Sequence, residues 1–217
     1  MTETWAVLAK DLRLVWRQRT GWASAAAFAA MTVMTFSFAF DLATGDVRPL
    51  LPGVLWVTFL FAGVIASSHS FAEEVEQGTF DAMLLAPAPR TALFAGKALA
   101  NLVALLAIEV GVLVFATLLF NTYLLTPRLL GVMLIGTVGY VSLSTLLSTL
   151  GAVRSRAVLL PVLTLPLLVP LLIAAVRASG EALTPSSDGA PWLLLLAVFA
   201  FWSTVGAALL FPLVVEQ

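Results

Sequence analysis

FAEEVEQGTFDAMLLAPAPRTALFAGK, residues 71–97, is a long run of the chain with a dense set of charges, and the rest reads outward from it. It opens with Glu73, Glu74 and Glu76 and passes through Gly78, Thr79, Phe80 and Asp81 to the apolar Met83, Leu84 and Leu85. It closes with Pro87, Pro89, Arg90 and Lys97. These residues predict a loop on the water side of a membrane, carrying one short helix. Thr79 is suited to accept a backbone N–H as N-cap, Asp81 sits in the first turn where the helix dipole favours an anion, and Pro87 stops propagation. About two turns fit between them. Phe80, Met83 and Leu84 then fall at i, i+3 and i+4 on one face. Such a face either docks on another protein or folds back onto the bilayer surface.

Almost everything else is lipid-soluble. Among 217 residues, 61% are apolar and 11% charged, with a mean hydropathy of +1.05. That balance defines an integral membrane protein with no soluble domain left over. The absence of Cys removes disulfide and thiolate chemistry, and one His cannot build a protein-only metal site. A net charge of −1 argues against nucleic acid as a partner. The N-terminal segment does not read as a cleavable signal, because Lys10, Asp11, Arg13, Arg17 and Arg19 interrupt its first apolar run.

Residues 2–19 read as a helix lying in the membrane interface. Trp5, Leu8, Leu12 and Trp16 share one face, and Lys10, Arg13 and Arg17 the opposite one. Indole rings favour the headgroup level and the cations favour anionic lipid; a plain cationic anchor is the simpler alternative. Six apolar spans follow at 22–40, 51–70, 98–120, 129–153, 157–176 and 192–214, judged by whether about 20 residues can cross about 30 Å of hydrocarbon. An even number puts both termini on one side. Lys10, Arg13, Arg17, Arg19, Arg90, Lys97, Arg154 and Arg156 fall on that side, and Arg48, Arg128 and Arg177 on the other. The asymmetry places the termini and the 71–97 loop in the cytoplasm.

Several motifs are near misses. Gly96-Lys97 is no phosphate loop, because Thr91 stands where its first glycine belongs and Ala98 replaces the Ser or Thr after the lysine. The run Thr137-Val138-Gly139-Tyr140 spells most of a potassium filter, yet Val141 stands where the last glycine belongs. His69, alone at a span end, reads as a hydrogen-bonded interfacial residue and not as a haem ligand or proton carrier. No catalytic constellation is present.

Two intramembrane features carry more weight. Glu109 lies near the middle of the third span, where an ionised carboxylate costs at least about 3 kcal/mol, so it faces protein or water, or carries a proton. A contact to Ser or Thr on a neighbouring helix and a role in transport both account for it. The fifth span holds Pro161, Pro166 and Pro170, each removing a backbone N–H from the helix ladder. A bent helix of this kind is either a gate or a tolerated kink.

Taken together, these residues resemble a family. The interfacial helix, the acidic stretch with Glu74, Gly78-Thr79-Phe80-Asp81, the run Met83-Leu84-Leu85-Ala86-Pro87-Ala88-Pro89 and the Gly-Lys pair before the third span are similar to the membrane subunit of type-2 ABC exporters. Pro52-Gly53-Val54-Leu55-Trp56-Val57 and the fifth-span prolines narrow the resemblance to the cytochrome c maturation protein B family, also called haem exporter protein B. The resemblance covers essentially the whole chain. It implies an all-α polytopic fold, one membrane domain with an interfacial helix and a cytoplasmic coupling helix, in the inner membrane of a bacterium. It implies no ATPase in this chain and no cofactor of its own, ATP residing on a separate ATP-binding subunit and haem on partner proteins. Those partners would be a haem-handling membrane protein, a small single-span helper and a periplasmic haem chaperone. A homodimer is expected, since two ATP-binding subunits need two docking helices. On this reading Glu74, Gly78, Thr79, Phe80, Asp81, Met83, Leu84 and Pro87 form the docking segment. A general type-2 exporter of lipid, glycan or drug fits the loop equally well.

Overall fold

The computed structural model describes residues 19–40, 46–76, 89–153, 159–184 and 190–215. The interfacial segment 2–18, with Trp5, Leu8, Leu12 and Trp16, lies outside them, as does the docking segment from Gly78 to Pro87. Every regular element among the described residues is α-helical. In chain order the helices are α1 Arg19–Ala39, α2 Leu51–Glu76, α3 Arg90–Leu119, α4 Pro127–Val153, α5 Leu159–Ala182 and α6 Ala190–Val215. All six contain a stretch long and apolar enough to cross a membrane. The all-α, six-span reading is therefore borne out.

The helices outrun the hydrophobic spans that mark them. α2 continues through Glu76 and α3 starts at Arg90, so the connection between them is shorter than the 71–97 loop expected. Charge ends a hydrophobic span without ending a helix, and Ala72, Glu73, Glu74 and Glu76 are good helix formers. Pro89 marks the restart: its carbonyl accepts the N–H groups of Ala92 at 2.9 Å and Leu93 at 3.2 Å, and its own missing N–H costs nothing there. Likewise α5 runs on to Ala182 through the alanines at 174, 175 and 178, which carries Arg177 on a helix and not in a loop. Pro166 and Pro170 lie inside α5. At the far end of α3, Asn121 takes a positive φ of 46°, a conformation Asn tolerates better than other non-glycine residues. The Thr117 hydroxyl donates to the Leu113 carbonyl at 2.7 Å and accepts the Leu124 N–H at 3.4 Å, fixing that turn.

α4 is the hub, packing against α2, α3, α5 and α6, while α1 lies against α2 and α3. Its sequence explains the position. Between lipid-soluble helices there is little hydrophobic driving force, so close approach of small residues and hydroxyl bonds decide association. α4 carries Gly131, Gly136 and Gly139, and it buries Thr137, Ser142, Ser144, Thr145, Ser148 and Thr149. Ser142 and Thr149 satisfy themselves on the carbonyl four residues back. Other bonds cross to neighbours, as between Ser142 and Thr204 of α6 at 2.9 Å. The potassium-filter-like run 137–140 is an uninterrupted stretch of this helix, not an extended carbonyl-lined loop.

Two reciprocal insertions lock α2 to α4. The Trp56 indole of α2 lies over Gly136, and the Tyr140 ring of α4 lies over Gly63, where a Cβ would come within 2.6 Å of its Cε1. Trp56 also donates its Nε1–H to the Ser179 hydroxyl of α5 at 2.8 Å, deep in the core. One indole thus joins three helices.

Candidate functional site

The structure supports a candidate site at the foot of α3 and along the seam between α3 and α4. α3 leaves the 77–89 connection at Arg90, and its first turns are fastened immediately. Leu93 and Phe94 are buried in a cluster with Leu146 of α4 and with Ala207 and Phe211 of α6. The Phe94 and Phe211 rings pack with centroids 5.4 Å apart, tilted by 51°, within the favourable range for aromatic pairs. The first turns of α3 are thereby packed against α4 and α6.

From that cluster a polar column runs toward mid-membrane. Lys97, Asn101 and Glu109 lie on α3 at spacings of four and eight, hence on one face. Lys97 is 3% exposed, which corrects its expected place at the water-side end of a loop: the helix had already begun seven residues earlier. Asn101 donates from Nδ2 to Thr145 Oγ1 of α4 at 3.3 Å. Ser148 lies farther along α4, with a buried Oγ that has no hydrogen-bond partner among the described residues.

Glu109 sits at the deep end of the column, 1% exposed. The Thr137 hydroxyl of α4 donates to its carboxyl, with Oε1 at 2.9 Å and Oε2 at 2.8 Å, and has the Met133 carbonyl at 2.8 Å. A carboxyl in hydrocarbon is tolerated when it faces the bundle and finds a donor, and Thr137 supplies that donor. Replacing Thr137 by the isosteric Val removes the donor and leaves a buried carboxyl unsatisfied, at a cost of about 1–3 kcal/mol. Glu109→Gln retains an acceptor for Thr137 and is expected to cost less. Thermal unfolding of the purified protein in detergent checks the order; equal losses would show that the bond carries no stability.

Of the other residues singled out from sequence, Glu74 lies on the backbone of α2, and Pro161 on that of α5. Pro166 and Pro170 lie on the exposed surface of α5 and line no described cavity. The polar column was legible in part, since the spacing of Lys97, Asn101 and Glu109 already puts them on one face. The identity of Thr137 as partner was not, because nothing local to Glu109 points 28 positions along the chain.

The fold and site define a polytopic helical membrane protein with a polar seam between two of its central helices. Comparison with known proteins narrows this class. The model of the CcmB protein family matches residues 2–215, and the chain belongs to that family. It is 31% identical over 210 residues to heme exporter protein B of Pseudomonas aeruginosa, covering 91% of each chain. It is 33% identical over 179 residues to heme exporter protein B of Paracoccus denitrificans, covering 80% of each. With the Rhodobacter capsulatus protein of the same name it shares 32% over 187 residues, covering 82% of this chain and 84% of that one.

Proposed function

We propose that this chain is the membrane subunit of a haem export complex serving c-type cytochrome biogenesis, and that it couples a separate ATP-binding subunit to haem delivery across the membrane. Family membership along residues 2–215, with relatives named heme exporter protein B, carries this reading. The chain supplies no ATPase: Gly96 and Lys97 belong to the continuous helix α3 and lack the residues of a phosphate loop. Both termini and the 77–89 connection face the cytoplasm of a bacterial inner membrane, as the distribution of Lys and Arg favours.

Closure of two ATP-binding subunits pushes on the helix at 79–86, with Phe80, Met83 and Leu84 as its anchors. The motion enters α2 and α3, and the Leu93–Phe94–Phe211 cluster passes it to α4 and α6. Two copies of the chain serve two ATP-binding subunits. Haem is cargo handled by partners: a haem-handling membrane protein, a single-span helper and a periplasmic chaperone.

The test is affinity capture from native membranes in mild detergent, with partners identified by mass spectrometry and haem by absorbance. An ATP-binding subunit recovered with a haem-handling membrane protein is the expected result. An ATPase without haem partners would reassign the chain to general export, and absence of any ATPase would overturn the reading of residues 71–97.

A further inference from the structure

At the end of the bundle opposite the 77–89 connection, a recess of about 680 Å³ opens where α2 starts, α5 ends and α6 starts. Its size lies within the roughly 300–1,000 Å³ usual for small-ligand sites. Its walls carry two guanidinium groups, Arg48 and Arg177, two carboxylates, Asp46 and Glu181, and the apolar surfaces of Pro52 and Trp192. The floor is rigid, because the Trp56 Nε1–H to Ser179 Oγ bond ties α2 to α5 beneath it and Gly180 brings the α5 backbone close to Pro52.

Charge balance selects the ligand. Among the described residues two cations and two anions line the recess, a set that suits a zwitterion better than a dianion, which would meet Asp46 and Glu181 as well as the arginines. The Arg177 guanidinium carbon lies 5.9 Å from the centroid of the Trp192 ring. That stacking occupies the guanidinium face and leaves its N–H edges for a bidentate acceptor such as phosphate. Arg48 faces Asp46 at 4.0 Å with both side chains 69% exposed, a pair that contributes little and yields readily to a ligand. Asp46 keeps its position independently, since one of its oxygens accepts the Arg48 backbone N–H at 3.1 Å. Among the described residues no His, Met, Cys or Tyr lines the recess, so these offer a haem iron no axial donor. The location at helix ends, with a tryptophan in the wall, is the level of lipid headgroups.

We propose that this recess binds the headgroup of a zwitterionic phospholipid, its phosphate on Arg48 and Arg177 and its ammonium on Asp46 and Glu181. The lipid would fill the notch between α2, α5 and α6 and hold their ends together. The full-length protein, purified in mild detergent, is presented with an equimolar mixture of phosphatidylethanolamine and phosphatidylglycerol and read by native mass spectrometry. Phosphatidylethanolamine is expected to be retained about tenfold over phosphatidylglycerol. The Arg48→Ala/Arg177→Ala double variant is expected to lose this preference. So is Gly180→Leu, which fills the recess while leaving all four charges in place; both variants are first checked for native helicity and monodispersity. Equal retention of the two lipids, or a preference unchanged in both variants, overturns the proposal. Binding of soluble glycerophosphoethanolamine as tight as that of the lipid would assign the recess to a free zwitterion. Saturable haem binding lost in the same variants would assign it to a porphyrin carboxylate. Either result also refutes the lipid.

Discussion

A chain carrying Phe80→Asp is expected to insert and accumulate normally in the membrane while losing all recoverable ATP-binding subunit. On the proposed docking reading, Phe80, Met83 and Leu84 would share one face of a short helix at 79–86, and each would contribute about 1.5–3 kcal/mol if fully buried against a partner. A helix of two turns covers less than the roughly 1,000 Å² that a stable interface needs. Its energy must therefore be concentrated in those anchors, with further contact from the 2–19 segment. Asp at position 80 removes the largest anchor and places a carboxylate in the desolvated centre of the contact, which costs more than the lost burial alone. Insertion is unaffected because position 80 lies outside all six spans. Quantitative blotting of the ATP-binding subunit after affinity capture reads the outcome. Met83→Ala, which deletes apolar surface without adding charge, should give a partial loss. Full recovery with Phe80→Asp would remove the docking assignment.

Gly136→Ala is the second large effect, and it acts on the fold. A Cβ at 136 would overlap the six-membered ring of Trp56. The indole has little room to retreat, being 4% exposed, hydrogen-bonded to Ser179 and edge-on to Phe59 at 5.8 Å. Relief requires either breaking the Ser179 bond or separating α2 from α4. Overpacking of this kind costs about 1–3 kcal/mol, and loss of the buried indole bond adds to it. Thermal unfolding in detergent should show a clear fall in midpoint, whereas Gly131→Ala, at a glycine with open space around it, should not. Combining Gly136→Ala with Trp56→Phe should cost less than the sum of the two changes, because the smaller ring vacates the space the new methyl takes. Strict additivity would mean that the two residues do not compete for that volume.

Legibility in the sequence followed the range of the physics involved. Six spans could be read directly, because crossing about 30 Å of hydrocarbon demands a continuous local property, an apolar run of about 20 residues. Helix ends were read less well. The 71–97 segment was expected to be a loop carrying one short helix, yet α2 keeps Glu73, Glu74 and Glu76 on its backbone, and Lys97 belongs to α3. The helical backbone depends on propensity and on breakers such as Pro89, and charge marks only where lipid stops. Glu109 stood out as a carboxylate at mid-membrane, and a contact to Ser or Thr on a neighbouring helix was one of the two accounts its desolvation cost left open. That the hydroxyl is Thr137 did not follow.

Those identities required the tertiary structure. Glu109 and Thr137 are 28 positions apart and Trp56 and Ser179 are 123 apart. The recess beside Trp192 gathers residues from the start of α2, the end of α5 and the start of α6. The sequence by itself determined a bundle of six membrane-spanning helices, since hydropathy acts position by position. Only the tertiary structure decided that α4 stands at the centre, that Gly63 and Gly136 receive the rings of Tyr140 and Trp56, and that four opposite charges meet around one recess. Between helices equally soluble in lipid, the choice of neighbour rests on shape and on single hydrogen bonds, which no local stretch of sequence encodes.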